Sequence, residues 1–217
     1  MTAKSGSRCL VLVAALVAAL LAVGCATPPP QVDSYTPPPL GSTWAYQVTD
    51  SGSYGTGNRQ LVLRIGEATW EGRKVLSFQN PNQHMLQDER LALLAILSPA
   101  GELQMRYDPP VGWQWPLVVG KSWSQDHVLT LVAAGGRQMP FKADWTVQAY
   151  EDVTVPAGTF KAWRLVYQDS FSEKQTIWFV PETMGIFVKR LYERPASFPQ
   201  GGAGTRLLEL VRVPSVN

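Results

Sequence analysis

The sequence predicts an all-β domain built as a single antiparallel, strongly curved sheet or incomplete β-barrel of about ten strands. From Ser42 onward apolar and polar residues alternate with a period of two, not 3.6. Turn signals recur at the spacing of hairpins. The segments between them are rich in Val, Ile, Thr, Tyr, Phe and Trp, which suit a pleated, half-buried surface.

In order, "STWAYQVT" places Trp44, Tyr46 and Val48 on one face, with Thr43, Gln47 and Thr49 mostly on the other. "DSGSYGTGN" is a turn or loop, and "RQLVLRIGEA" puts Leu61, Leu63 and Ile65 on one side. "EGRKVLSFQ" is a turn and a strand ending at "NPN". The composition of His84 to Leu97 also suits a helix, because Leu, Ala, Glu and Arg favour one. The pattern "LLAILSPAGELQMRY" reads better as two strands about a Ser-Pro-Ala-Gly turn. After "DPPVGWQWPLVVGKSW" the strands resume and run to "RLLELVRV". In "VTVPAGTFKAW", Pro156 pre-sets φ for the first turn position, and Gly158 suits a left-handed residue closing a loop of three to four residues.

The chain's 217 residues allow one domain with a sizeable core after a leader is set aside. Lys4 and Arg8 precede an unbroken apolar run, and no acidic residue occurs before Asp33. About 18 such residues could just span a bilayer or form the core of a signal peptide. The run ends in "AVGC", which resembles the bacterial lipobox, in which small residues precede a cysteine that receives diacylglycerol. Ala22 stands where that motif usually has Leu. An uncleaved anchor, or a plain secretory signal, is the alternative. The resemblance implies that residues 1–24 are a lipoprotein signal peptide and that Cys25 carries acyl chains, palmitate among them. Two or more such chains suffice to hold a domain at a membrane. Ala26 follows the cysteine. An Asp there commonly marks inner-membrane retention, so the reading favours the outer membrane, facing the periplasm, in a Gram-negative host. The two triple-proline runs that follow suggest an extended, semi-rigid stalk over residues 26–41, the alternative being a proline-rich loop packed on the domain. The β domain is then 42–217.

Cys9 lies in the removable leader, and Cys25 is the only other cysteine. The β domain therefore has neither thiol nor disulfide. Without Lys4 and Arg8 the 19 basic residues fall to 17, matching the 17 acidic ones. The mature chain is formally neutral and has no basic stripe for nucleic acid.

"PLVVGKSW", "VTVPAGTFKAWRL" and "TIWFVPETMGIFVKRL" together resemble the TapB-like, domain-of-unknown-function envelope lipoproteins of bacteria. The matched pieces lie between Pro116 and Leu191. The resemblance implies an antiparallel, strongly curved sheet, more distantly similar in shape to the half-barrel carriers LolA and LolB. It implies no activity.

No Gly-x-Ser-x-Gly, His-Glu-x-x-His, Walker or Rossmann pattern is present. His84 and His127 read as structural or surface residues, since neither has the companions of a three-ligand metal site. Asp88/Glu89 and Glu151/Asp152 are sequence neighbours, which strands direct to opposite faces. These residues give no ground for an enzyme or a cofactor. Of eight tryptophans, Trp113 and Trp115 stand two apart in a Pro-flanked segment and could face the same way. They are the candidate lining for an apolar ligand; the other reading is that they are core. The expectation is a non-enzymatic binding or carrier module for a lipid-like ligand, with an interaction lipoprotein supporting an envelope complex as the alternative.

Cys25→Ser removes the thiolate that lipid attachment needs. Growth with a labelled fatty acid should label the wild-type chain and leave the variant unlabelled. Equal labelling of both would overturn the lipoprotein reading.

Overall fold

A computed structural model describes residues 30–198 and 201–216. Cys25 and the apolar leader lie outside the described residues. A short strand β1 (Gln31–Val32) precedes β2 (Thr43–Gly52), β3 (Gly57–Trp70), β4 (Arg73–Asn80), β5 (Gln83–Gln87), β6 (Leu93–Leu97) and β7 (Leu103–Val111). There follow a second short strand β8 (Leu117–Val118), β9 (Ser122–Leu131) and a single 3-10 turn over Val132–Ala134. The chain ends with β10 (Arg137–Val155), β11 (Gly158–Asp169), β12 (Lys174–Val180), β13 (Ile186–Arg194) and β14 (Gly204–Ser215).

The fold class is all-β and antiparallel, but the sheet is neither incomplete nor ten-stranded. Twelve strands, β2 to β7 and β9 to β14, form an up-and-down meander that closes where β14 pairs with β2. At that seam Leu208 lies opposite Val48 and Leu210 opposite Tyr46. Arg206 reaches its cross-strand partner Asp50 through Nε and a terminal nitrogen at 2.6 and 3.1 Å. Ser51 and Thr205 hydroxyls meet at 2.7 Å. Pairing of chain ends some 150 residues apart leaves no local signature, which is why alternation alone predicts an open edge.

His84 to Leu97 forms two strands, β5 and β6, not a helix. The Ser98-Pro99-Ala100-Gly101 turn follows, with Gly101 at φ 87° and its N–H donating to the Ser98 carbonyl. The β10–β11 hairpin is tighter than expected. Val155 pairs directly with Gly158, so the loop is Pro156-Ala157 alone.

Along β2, Trp44, Tyr46 and Val48 face the interior, as do Leu63 and Ile65 of β3. The outside carries charge over its height, as in the pairs Lys142–Asp144, Lys161–Asp152 and Lys189–Glu209. A barrel that meets lipid on its outer wall has the reverse alternation. A second, smaller apolar cluster lies apart from the interior: Val75, Leu86, Leu94 and Ala95, with Trp70 and Leu103 packed against it. Nearby, Glu71 of the β3–β4 turn meets Arg106 of β7 at 3.4 Å.

One end of the barrel is covered by chain that the sequence suggested was a stalk. Over Pro30–Gly41 the proline-rich segment lies on the barrel: β1 pairs with β8, and Val32, Tyr35 and Pro38 are buried. The Thr36 N–H donates to the Pro181 carbonyl at 2.9 Å. Gly185, at φ 58°, accepts this close approach, since a Cβ there would stand 2.0 Å from the Thr36 carbonyl oxygen. Proline's fixed φ keeps the segment extended, as expected, but apolar side chains between the prolines give it a surface to bury on. Residues 26–29 lie outside the described residues.

Candidate functional site

Twelve strands make a barrel wider than side chains fill, since about eight already enclose just enough room for a packed core. The consequence is a cavity of about 410 Å³ inside the barrel. It has two chemically distinct ends. Toward the covered end its wall is Trp44, Leu63, Leu91, Leu93, Val111, Trp113 and Phe179. Toward the other end it is Arg59, Asn80, Asn82, Gln83 and Arg206. Asn82 sits exposed in the β4–β5 turn, so the polar end is the one that meets solvent.

The two tryptophans singled out from the sequence part company. Trp113 lines the cavity, its ring 4.8 Å from Phe179 and 5.4 Å from Trp145. Trp115 stacks behind it at 6.4 Å, and on Tyr35 at 6.4 Å, outside the cavity lining. The indole N–H of Trp115 donates to the Arg90 carbonyl at 3.1 Å. Trp115 thus ties the N-terminal segment to the floor, and Trp113 presents an aromatic surface to the interior. Trp145 extends that surface, stacked on Trp123 at 5.7 Å and edge-on to Tyr167 at 4.7 Å.

Of the two histidines, His127 is buried among aromatics and bonds the Pro109 carbonyl through Nδ1 at 2.7 Å. His84 lies on β5 opposite Gln79. Neither lines the cavity.

Sequence reasoning missed the polar groups of the wall. Tyr46 accepts the Trp44 indole N–H at 3.0 Å and donates to the Phe187 carbonyl at 2.7 Å, with its ring stacked on Phe187 at 4.6 Å. Arg190 and Tyr192 of β13 also line the cavity. Arg190 Nε donates to Gln175 Oε1 at 3.1 Å, joined by one of its terminal nitrogens. The Gln175 amide is held by Glu173, to which it donates at 2.8 Å. A bulge in β13 shapes this part of the wall. Phe187 pairs with Phe179 and Lys189 with Trp178, leaving Val188 as the extra residue. Phe187 and Arg190, three apart, therefore both reach the interior, where strict alternation separates them.

No family model matches this chain, and neither a curated protein nor a solved structure does.

The interior tyrosines hold their protons tightly. Burial pushes the Tyr107 phenol up to about 12, helped by the charges of Asp169 and Glu173. Burial also raises Tyr46, Tyr167 and Tyr192, with Arg190 opposing each shift. Below about pH 10 folded and unfolded chains alike keep these protons, so the groups leave stability unchanged there. Above that, the unfolded chain releases them first. Stability should fall as pH rises through about 10 toward the raised folded values, about 12 for Tyr107. Denaturant midpoints measured alongside tyrosinate absorbance check this. A midpoint that stays level while the unfolded chain ionises would contradict the buried placement of these rings.

Proposed function

We propose that this protein is a membrane-anchored envelope lipoprotein whose barrel is a non-enzymatic binding or carrier module for an apolar, lipid-like ligand. The observation that carries the reading is the cavity: about 410 Å³, aromatic and aliphatic at its floor, polar where it meets solvent. That volume falls within the range of roughly 300–1,000 Å³ typical of small-molecule sites, which are mostly apolar with a few placed polar groups. Trp113, Trp145 and Phe179 offer flat, polarisable surface to a hydrocarbon chain. An interaction lipoprotein that only supports a complex leaves this cavity without a use.

Anchoring through Cys25 gives the module an orientation. Pro30, which lies at the covered end, is five residue steps along the chain from Cys25. They span at most about 18 Å when extended. The covered end then faces the membrane, and the polar opening faces the periplasm, as suits a protein of the outer membrane that hands on or receives a ligand there.

The test is to purify the full chain from membranes and extract it with organic solvent, which leaves the thioether-linked diacylglycerol and any amide-linked acyl chain on the protein. Mass spectrometry should then find one extractable lipid species in near-stoichiometric amount. Filling the cavity with Leu61→Trp and Met85→Trp together should abolish it while the circular dichroism spectrum keeps its β form. A wild-type chain that is folded and yields no lipid contradicts the carrier reading.

A further inference from the structure

The charged groups of the cavity wall are all of one sign. Arg59, Arg190 and Arg206 line it, and no carboxylate does. Two of the three are answered nearby. Asp50 takes a paired contact from Arg206 and meets Arg59 at 3.3 Å. Arg190 is different. Among the described residues no carboxylate lies within ion-pair distance of its guanidinium; its polar partner is the neutral oxygen of Gln175. Glu173, the nearest acid along that chain of contacts, is engaged by Arg194 at 3.0 Å, by the Tyr54 hydroxyl at 2.6 Å and by the Gln175 amide.

The guanidinium is also held in place. Its central carbon stands 4.7 Å from the Tyr192 ring and 5.5 Å from the Phe187 ring. Gln175, itself buried, fixes one edge of the planar fork. A guanidinium has five N–H donors, and Gln175 occupies two of the nitrogens. The remaining donors belong to a cation on the wall of a mostly apolar space, where an unanswered charge is costly. A ligand that brings an anion to this point removes that cost.

We infer that the cavity takes an amphiphile with an anionic head, a carboxylate or a phosphate, which Arg190 binds while the hydrocarbon chain runs toward Trp113. This rests on the carrier reading above and narrows it to a ligand class. Both heads present oxygens that match the guanidinium fork, and such paired contacts are the strong ones. Arg190 lies between the solvent-facing and apolar ends of the wall, so the head sits below the rim and the chain fills the floor. An uncharged or cationic amphiphile of the same length leaves Arg190 as it is, unpaired.

The experiment compares three labelled probes with the same hydrocarbon chain: palmitate, hexadecyl phosphate and hexadecanol. Each is equilibrated with the full chain in a non-ionic detergent at mildly alkaline pH, where both acids are ionised. At least one anion should bind the wild-type protein about tenfold or more tightly than the alcohol, the scale of one charge-assisted hydrogen bond. Which anion it is identifies the head. Arg190→Gln should bring that anion down to the level of hexadecanol, and Arg190→Lys should restore part of the difference. Equal binding of acids and alcohol by the wild type overturns the head-group assignment and leaves the carrier reading standing. Failure of all three probes to bind overturns the carrier reading itself. The wild-type comparison decides the matter even if a variant does not fold, which its thermal melt would show.

Discussion

The barrel, its cavity and the cavity's lining all depend on the pairing of the last strand with the first barrel strand. A twelve-stranded antiparallel sheet left open has two edges, each a row of unsatisfied N–H and C=O groups. Joining β14 to β2 removes both. The seam is reinforced by chemistry that belongs to it. Arg206 and Asp50 are cross-strand partners, and the apolar pairs Leu208–Val48 and Leu210–Tyr46 lie on the interior side. Asp50 also ties Arg59 of the next strand, so one carboxylate braces three consecutive strands of the closed sheet. The interior exists as a compartment because this closure holds.

Closure fixes the strand number, and strand number fixes the width. The interior is too wide to be packed solid by aliphatic side chains, which is a physical reason for its aromatic content. Large rings narrow the space at the covered end, where Trp113, Trp145 and Phe179 meet. The segment Pro30–Gly41 seals that end from below with Tyr35 and Trp115. The opposite end has arginines and amides in place of rings. The polarity gradient along the cavity is thus a result of where the chain ends and turns fall. It gives an amphiphile one favourable orientation.

Much of this fold was legible in the sequence, because alternation is a local signal. Trp44, Tyr46 and Val48 were placed together by it and lie together on the inner wall. Ser98 to Gly101 turns as its residues dictate. What escaped was non-local or broke the alternation. The β2–β14 seam joins the two ends of the domain, and nothing within either strand says which edge it meets. The extra residue Val188 changes the parity of β13, so Phe187 and Arg190, three apart, both face the cavity, which alternation alone does not allow. The proline-rich segment was read from its prolines, while Val32 and Tyr35 between them decide that it packs. Trp113 and Trp115 could be singled out but not separated, since only the path of the irregular segment puts one on the cavity and the other behind it.

Hydrogen exchange at the seam tests the closed barrel most directly. On the full chain, the amides of Gln47, Thr49, Leu207 and Glu209, whose register directs their N–H groups across the seam, should exchange as slowly as those of Leu165 and Ile177, which lie on the paired strands β11 and β12. That result places β2 and β14 inside one continuous sheet. Seam amides that exchange orders of magnitude faster, while β11 and β12 stay protected, would mean an open sheet, and the enclosed cavity would not exist.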